Sequence, residues 1–225
     1  MKLIRPTTEA EAIAEFLKGE YYQKEYHADR RLNEALVMNP NLADEEENAI
    51  RRNLLYRRHR VTWNELPPDI RWFQVELDAE DIDRLRVFPR GHWPKLRGDG
   101  TFAVSDIAHN IRQRNFSAEV ADDVTVIQAI AYRLRQQHDS SSVLLIGVDM
   151  LQPMTILEGN HRIIAAALTS KECVTSFTIY AGFSDSMKDC FWYQTNFENM
   201  FRYACRRLRA VQPNFFRGLR QRWAA

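Results

Sequence analysis

Glu158, Gly159, Asn160, His161 and Arg162 place an acid, a glycine, an amide, an imidazole and a guanidinium in five consecutive positions. The apolar "MTILE" that leads into them reads as a buried strand, and "NHRIIAAALTS", starting at Asn160, reads as a helix. A strand that ends in a glycine turn and opens a helix exposes backbone N–H groups at the positive end of the helix dipole. That arrangement favours an anion. Gly159 lets the chain bend tightly and lets a ligand approach the backbone. Asn160 can cap the helix through its side chain. His161 and Arg162 add donors, and a guanidinium can grip a phosphate in bidentate fashion. Glu158 could take a proton, hold a metal-bound water or pair with Arg162. The plainer alternative is a local Glu158–Arg162 ion pair beside a half-buried histidine. Residue types in this order, in a strand–turn–helix setting, point to a phosphate pocket.

A second group lies in "FPRGHWPKLRGDG", residues 88–100, which gathers Arg90, His92, Trp93 and Lys95 in a Pro/Gly-rich loop. Such a loop can clamp phosphates, and Trp93 could stack on a base. Its other reading is a surface loop with Trp93 anchored in the core. His109 falls within a helical pattern and reads as structural. Asp81/Asp83 and Asp122/Asp123 read as helix-start acids. The chain contains no HExxH, no CxxC and no Walker-type loop, which argues against a zinc protease, a redox dithiol and a P-loop ATPase. The identity of any metal is left open.

These groups need elements to position them. Thr8 and Glu11 have the spacing of a capping box and predict a helix start. A second helical stretch is expected near Tyr21 to Val37, ended by "MNPNLAD". A third opens at "DEEEN", with acids first and arginines last, as the macrodipole favours. Its run Arg51, Arg52, Arg57, Arg58 and Arg60 is basic enough to meet an anion, or is simply a charged helical face. "LPPD" at 66–69 is a breaker. After it, "RWFQVELD", "SVLLIGV", "MTILE" and "VTSFTIYAGF" predict strands. "SDIAHNIRQRN", capped by Ser105, and "DDVTVIQAIAYRLRQQH" predict helices, the latter with Val124, Ile127, Ile130, Ala131 and Leu134 on one face. A last helical stretch from Asp185 carries Phe191, Trp192, Phe197 and Phe201. The expected organisation is a helical N-terminal extension over 1–66, an α/β domain over 67–183, and a C-terminal helix with a basic tail over 184–225.

The 225 residues suffice for a real core, and 45% hydrophobic with 27% charged is ordinary for a globular protein. The net charge of +1 hides an asymmetry. Beyond Glu198 there is no acid, while Arg202, Arg206, Arg207, Arg209, Arg217, Arg220 and Arg222 follow. Such a tail can meet DNA or another acidic partner, or be a solvated helix face. Cys173, Cys190 and Cys205 show neither metal spacing nor a disulfide framework, so a reduced, cytoplasmic setting is expected. No apolar run approaches the roughly 20 residues that span a bilayer, so no membrane association is expected.

"ILEGNHRIIAAAL" resembles the second box of the ParB/sulfiredoxin superfamily, where a strand, an acid or glycine, Gly, a variable residue, His or Arg, and Arg open a helix. "CVTSFTIYAGF" is similar to the strand that follows. "FQVELDAEDIDRLRVFPRGHWPKL" is similar to the first box, a strand and D-I-x-x-L turn leading into a proline- and basic-rich loop. The likeness covers residues 72–183. It implies an α+β fold with a small mixed sheet. It implies a pocket for ATP or another nucleotide, with Mg²⁺ as a possible companion, the triphosphate lying across the helix start at Asn160 and near Arg90. Members include partition proteins that bind CTP and DNA, nucleases, ATP-dependent sulfiredoxins and kinases of free serine. The sulfiredoxin cysteine slot holds Asn160 here. The expectation is therefore a phosphoryl-transferring or hydrolysing enzyme, with Glu158, His161 and Arg162 catalytic. Gly159, Asn160, Arg90, His92, Trp93 and Lys95 would bind the nucleotide or phosphorylated small molecule. The alternative is a plasmid- or phage-type ParB-like DNA-binding protein or nuclease.

Overall fold

In the strand "SVLLIG" every residue after the first is buried, yet successive side chains enter different cores. Val143 and Leu145 join one, Leu144 and Ile146 the other. A sheet covered on both faces has this continuous apolar signature. The computed structural model describes residues 1–23, 26–27, 30–137 and 139–208. Arg209, Arg217, Arg220 and Arg222 of the basic tail lie outside them.

The strands are β1 (Lys2–Thr7), β2 (Arg71–Glu76), β3 (Leu85–Arg86), β4 (Ser142–Gly147), β5 (Met154–Glu158) and β6 (Thr178–Phe183). They form one mixed sheet in the order β1-β2-β6-β4-β5-β3. β1/β2, β2/β6 and β4/β5 are antiparallel, whereas β4/β6 and β3/β5 are parallel. The helices are α1 (Glu9–Glu20), α2 (Arg30–Met38), α3 (Glu45–Trp63), α4 (Trp93–Arg97), α5 (Val104–Gln113), α6 (Ala121–Leu134) and α7 (Asn160–Thr169), and residues 197–208 are helical. The α+β class expected from the sequence is what the molecule adopts. α5, α6 and α7 cover one face of the sheet through Ile107, Ile127 and Ile163. α1 and α3 cover the other through Phe16, Leu17, Leu54 and Leu55.

Local signals explain the helix starts. The Thr8 hydroxyl accepts the Glu11 N–H at 3.2 Å, and Asp44 accepts from Glu46 and Glu47 at 2.9 and 3.1 Å. Each cap satisfies donors that no helical carbonyl can reach. The D-I-x-x-L turn is a short 3₁₀ helix, Ala79–Arg84, capped by Asp78.

Several expectations need correcting. The segment read as a helical N-terminal extension opens with a strand, β1, which pairs with β2, and its helices share a core with the sheet. The second helix starts at Arg30, not near Tyr21. Ser105 does not cap α5, since that helix begins at Val104. Asp106 instead turns back to the N–H and hydroxyl of Thr101 at 2.8 and 2.6 Å. The stretch after Asp185 is not one helix. A 3₁₀ turn at Asp185–Asp189 gives way to irregular chain, and helix resumes at 197 where Asn196 accepts the Asn199 N–H at 2.8 Å. Burial of Phe191 and Trp192 accounts for the break, while Phe197 and Phe201 are exposed. Arg51 is not open to solvent or to an outside anion: it is buried, paired with Glu47 and bonded to the Leu36 and Asn41 carbonyls at 2.9 Å each.

Candidate functional site

Gly159 ends β5 in a left-handed conformation, φ +96°, that L side chains rarely adopt. The space is also closed: a Cβ there would lie 2.8 Å from Val143 Cγ2. Glycine at this corner is thus required twice, by backbone and by packing. The first helical hydrogen bond of α7 runs from the Ile163 N–H to the Gly159 carbonyl at 3.0 Å. The amides of Asn160, His161 and Arg162 precede that ladder, which leaves them at the positive end of the helix.

The corner forms one wall of a cavity of about 660 Å³, a size typical of small-molecule sites. Glu158, Gly159, Asn160, His161 and Arg162 all line it, with Trp93 and Phe88 from the basic loop and Arg133 and Ile130 from α6. The opposite wall comes from the N-terminal layer: Phe16, Gly19 and Glu20 of α1, and His59 of α3.

Glu158 Oε1 accepts from Arg162 Nη2 at 2.6 Å, so the local ion pair is present. Both side chains nevertheless remain partly open, at 18% and 16%, and both face the cavity. Burial pushes the Glu158 carboxyl above the usual carboxylate range against the pull of Arg162, and the nearby Glu20 carboxylate adds to the rise. His161 is pushed the other way. Desolvation lowers its imidazole, while Asp123, 3.8 Å from its Nε2, opposes the shift. Its ring lies 5.1 Å from that of Trp93. Asp123 also meets His92 Nδ1 at 3.0 Å, so one carboxylate in the first turn of α6 joins the basic loop to the helix of the motif.

The remaining expected site residues are placed differently. Asn160 does not cap its helix; Gly159 is the capping position. The Asn160 Oδ1 accepts the Phe88 N–H at 3.3 Å, which ties the loop to the corner. Arg90 is not among the residues lining the cavity. Its guanidinium lies over the rings of Phe191 and Trp192, 3.6 and 3.9 Å from their centroids, and burial lowers its pKa. Lys95 pairs with Glu119 on the outside of the loop, and His92 stands at the cavity's edge without lining it.

Sequence reading missed the opposite wall. Gly19 is the clearest omission. A Cβ on it would sit 2.8 Å from Glu158 Oε1 and 3.4 Å from Arg162 Nη2, so any larger residue would have to displace the ends of the ion pair. A glycine in the last turn of an otherwise good helix former was the available signal, because it weakens the helix and calls for a reason. Among the described residues no group of three or more His, Cys, Asp or Glu could hold a metal ion. No helix among them is long and apolar enough to cross a membrane. Compared with protein-family models, with curated proteins and with solved structures, this chain matches none of them.

Proposed function

We propose that the chain is a nucleotide- or phosphate-binding enzyme that hydrolyses or transfers a phosphoryl group in this cavity. The observation that carries the reading is the Gly159 corner. It gives an open helix start, with Arg162 beside it, facing a cavity large enough for a nucleotide. Phosphoryl chemistry asks little covalent work of a protein and much positioning and charge stabilisation. Arg162 and His161 would balance charge on the transferring group, and Trp93 would give an apolar face beside His161. The resemblance of "ILEGNHRIIAAAL" to the ParB/sulfiredoxin second box supports the same assignment. Among the described residues no three His, Cys, Asp or Glu side chains are grouped to hold a metal, so a magnesium ion would enter with the phosphates that hold it.

The DNA-binding alternative draws less from charge placement. Arg51 is sealed inside, Arg52 pairs with Glu9, Arg202 with Asp189 and Glu198, and Arg206 with Glu65.

Calorimetry with ATP, CTP, GTP and pyrophosphate, with and without Mg²⁺, tests the reading. At least one should bind, and Arg162→Ala should weaken it by roughly 10- to 100-fold, as expected for loss of a charge-assisted hydrogen bond. Failure of every ligand to bind, or equal binding by the variant, would overturn it. A salt titration against duplex DNA gives the alternative its own test, through a steep loss of affinity with salt.

A further inference from the structure

We infer that Glu20, delivered by the last turn of α1, is the proton acceptor of this site, and that His59 of α3 is the residue that positions it. The inference rests on the phosphoryl-transfer reading above and adds a catalytic group from outside the motif. Three observations carry it.

The first is the approach of α1. The bare Cα of Gly19 brings the helix end against the Glu158–Arg162 pair, and this places the next residue, Glu20, on the cavity wall facing the α7 corner. The second is the state of the other carboxylate. Glu158 Oε1 is tied to Arg162 at 2.6 Å, so that oxygen is engaged in holding the guanidinium. Glu20 has no such arginine among its described contacts; the basic side chain recorded beside it is His59, with Nε2 at 3.5 Å from Glu20 Oε2. The third is the seating of His59. Its Nε2 is shut off from solvent and has no hydrogen-bond partner, and the Phe16 ring packs edge-on against the imidazole at 4.8 Å. A sealed nitrogen cannot take a proton from a molecule in the cavity. It can set where the Glu20 carboxylate lies, by contact at 3.5 Å and without a hydrogen bond. Of the three carboxylates lining the cavity, Asp139 accepts the Ser141 N–H at 3.0 Å, Glu158 fixes the guanidinium, and Glu20 is the one placed to accept a proton.

In the hydrolytic reaction a water oxygen attacks the terminal phosphorus of a nucleoside triphosphate while its proton passes to the Glu20 carboxylate. The new O–P bond forms as the bridging P–O bond breaks. The nucleoside diphosphate leaves with that electron pair, Arg162 balances the charge, and Glu20 returns its proton to solvent. With an alcohol in place of water, the same proton path gives transfer.

The test uses the full chain with ATP and Mg²⁺, reading binding by calorimetry and turnover by phosphate release. Glu20→Gln should bind within about threefold of wild type and lose roughly 10²- to 10⁴-fold in kcat, the range for removal of a general base. His59→Ala should lower kcat about tenfold or more at nearly constant KM, and His59→Gln, which keeps an N–H donor, should recover part of the loss; a merely structural histidine would not show that recovery. Thermal melts accompany each variant, and Glu20→Asp replaces Glu20→Gln if the latter does not fold. ATP binding without phosphate release by wild type, or turnover by Glu20→Gln within twofold of wild type, overturns the inference while the binding site stands. Absence of any binding overturns the nucleotide reading itself, and the proton acceptor with it.

Discussion

Glu47–Arg51 and Glu158–Arg162 share an i,i+4 spacing and have opposite settings. Glu47–Arg51 lies in α3 with a separation of 2.9 Å, and Glu158–Arg162 bridges the start of α7 with 2.6 Å. Arg51 is 1% exposed, and its guanidinium is used up by Glu47, the Leu36 and Asn41 carbonyls and Asn48 Oδ1. It ties the turn after α2 to α3. Arg162 has the same partner type, but the rest of its surroundings are a cavity. Spacing therefore makes the pair, and the packing around it decides whether the pair is a structural tie or a binding group. In α3 the neighbouring carbonyls close over the arginine. At α7 the glycine corner and the approach of Gly19 leave a space.

Arg51→Ala breaks this comparison at its strongest point. Losing a buried arginine that makes four hydrogen bonds strands two carbonyls and costs about 3–5 kcal/mol. In a chain of this size that corresponds to a fall in Tm of roughly 6–20 °C by calorimetry. Nucleotide affinity in the folded fraction should be unchanged. Arg162→Ala should show the reverse pattern, a small change in Tm with the loss of affinity given above. If both variants lose stability equally and neither alters binding, the contrast between sealed and open pairs is wrong.

Gly159→Ala comes next in size. The residue must hold φ +96° and push its Cβ into Val143, whose backbone-proximal atoms have little room to yield. Strain of this kind costs on the order of 1–3 kcal/mol. Gly159→Ala combined with Val143→Ala separates the two contributions. The second change relieves the contact and leaves the φ strain, so Gly159→Ala should cost less in the Val143→Ala background than in wild type if the contact dominates. An equal cost in both backgrounds would assign the effect to the backbone.

How much of this could be read in the chain differs between the two walls of the cavity. Glu158 to Arg162, the flanking strand and the flanking helix are contiguous, so residue order alone carries the corner. The cap at Thr8 was legible for the same reason, since it acts over three residues. The α1–α3 wall was not legible, because Gly19 meets Glu158 across 139 positions of sequence and no local pattern encodes that meeting. Arg90 shows the limit from the other side. Its loop reads as phosphate-binding by composition, but the aromatic residues that claim its guanidinium, Phe191 and Trp192, lie a hundred residues later. The strand β1 was hidden by brevity, since six mostly exposed residues with a proline give no alternation to detect.

The smallest effect expected is in the pH dependence of stability, and it sharpens the open side of the comparison. Glu158 carries its proton to higher pH when folded than the usual glutamate value of about 4.3. A raised folded pKa means that the contribution is fully present below the unfolded value and is lost as pH rises through the folded one. Glu158→Gln cannot ionise, so its Tm relative to wild type should climb as pH is taken from 4 to 8. Glu11 provides the opposite sign. The hydrogen bond from Arg5 holds its carboxyl below the usual range, so its contribution is present above the unfolded value and is lost as pH falls through the folded one. Glu11→Gln should therefore drop further behind wild type over the same rise in pH. Two glutamates, each beside an arginine, would then tilt the stability curve in opposite directions, because burial outweighs the partner at the cavity and the partner outweighs burial at the surface. Parallel slopes for the two variants would show that the cavity does not desolvate Glu158 as its position requires.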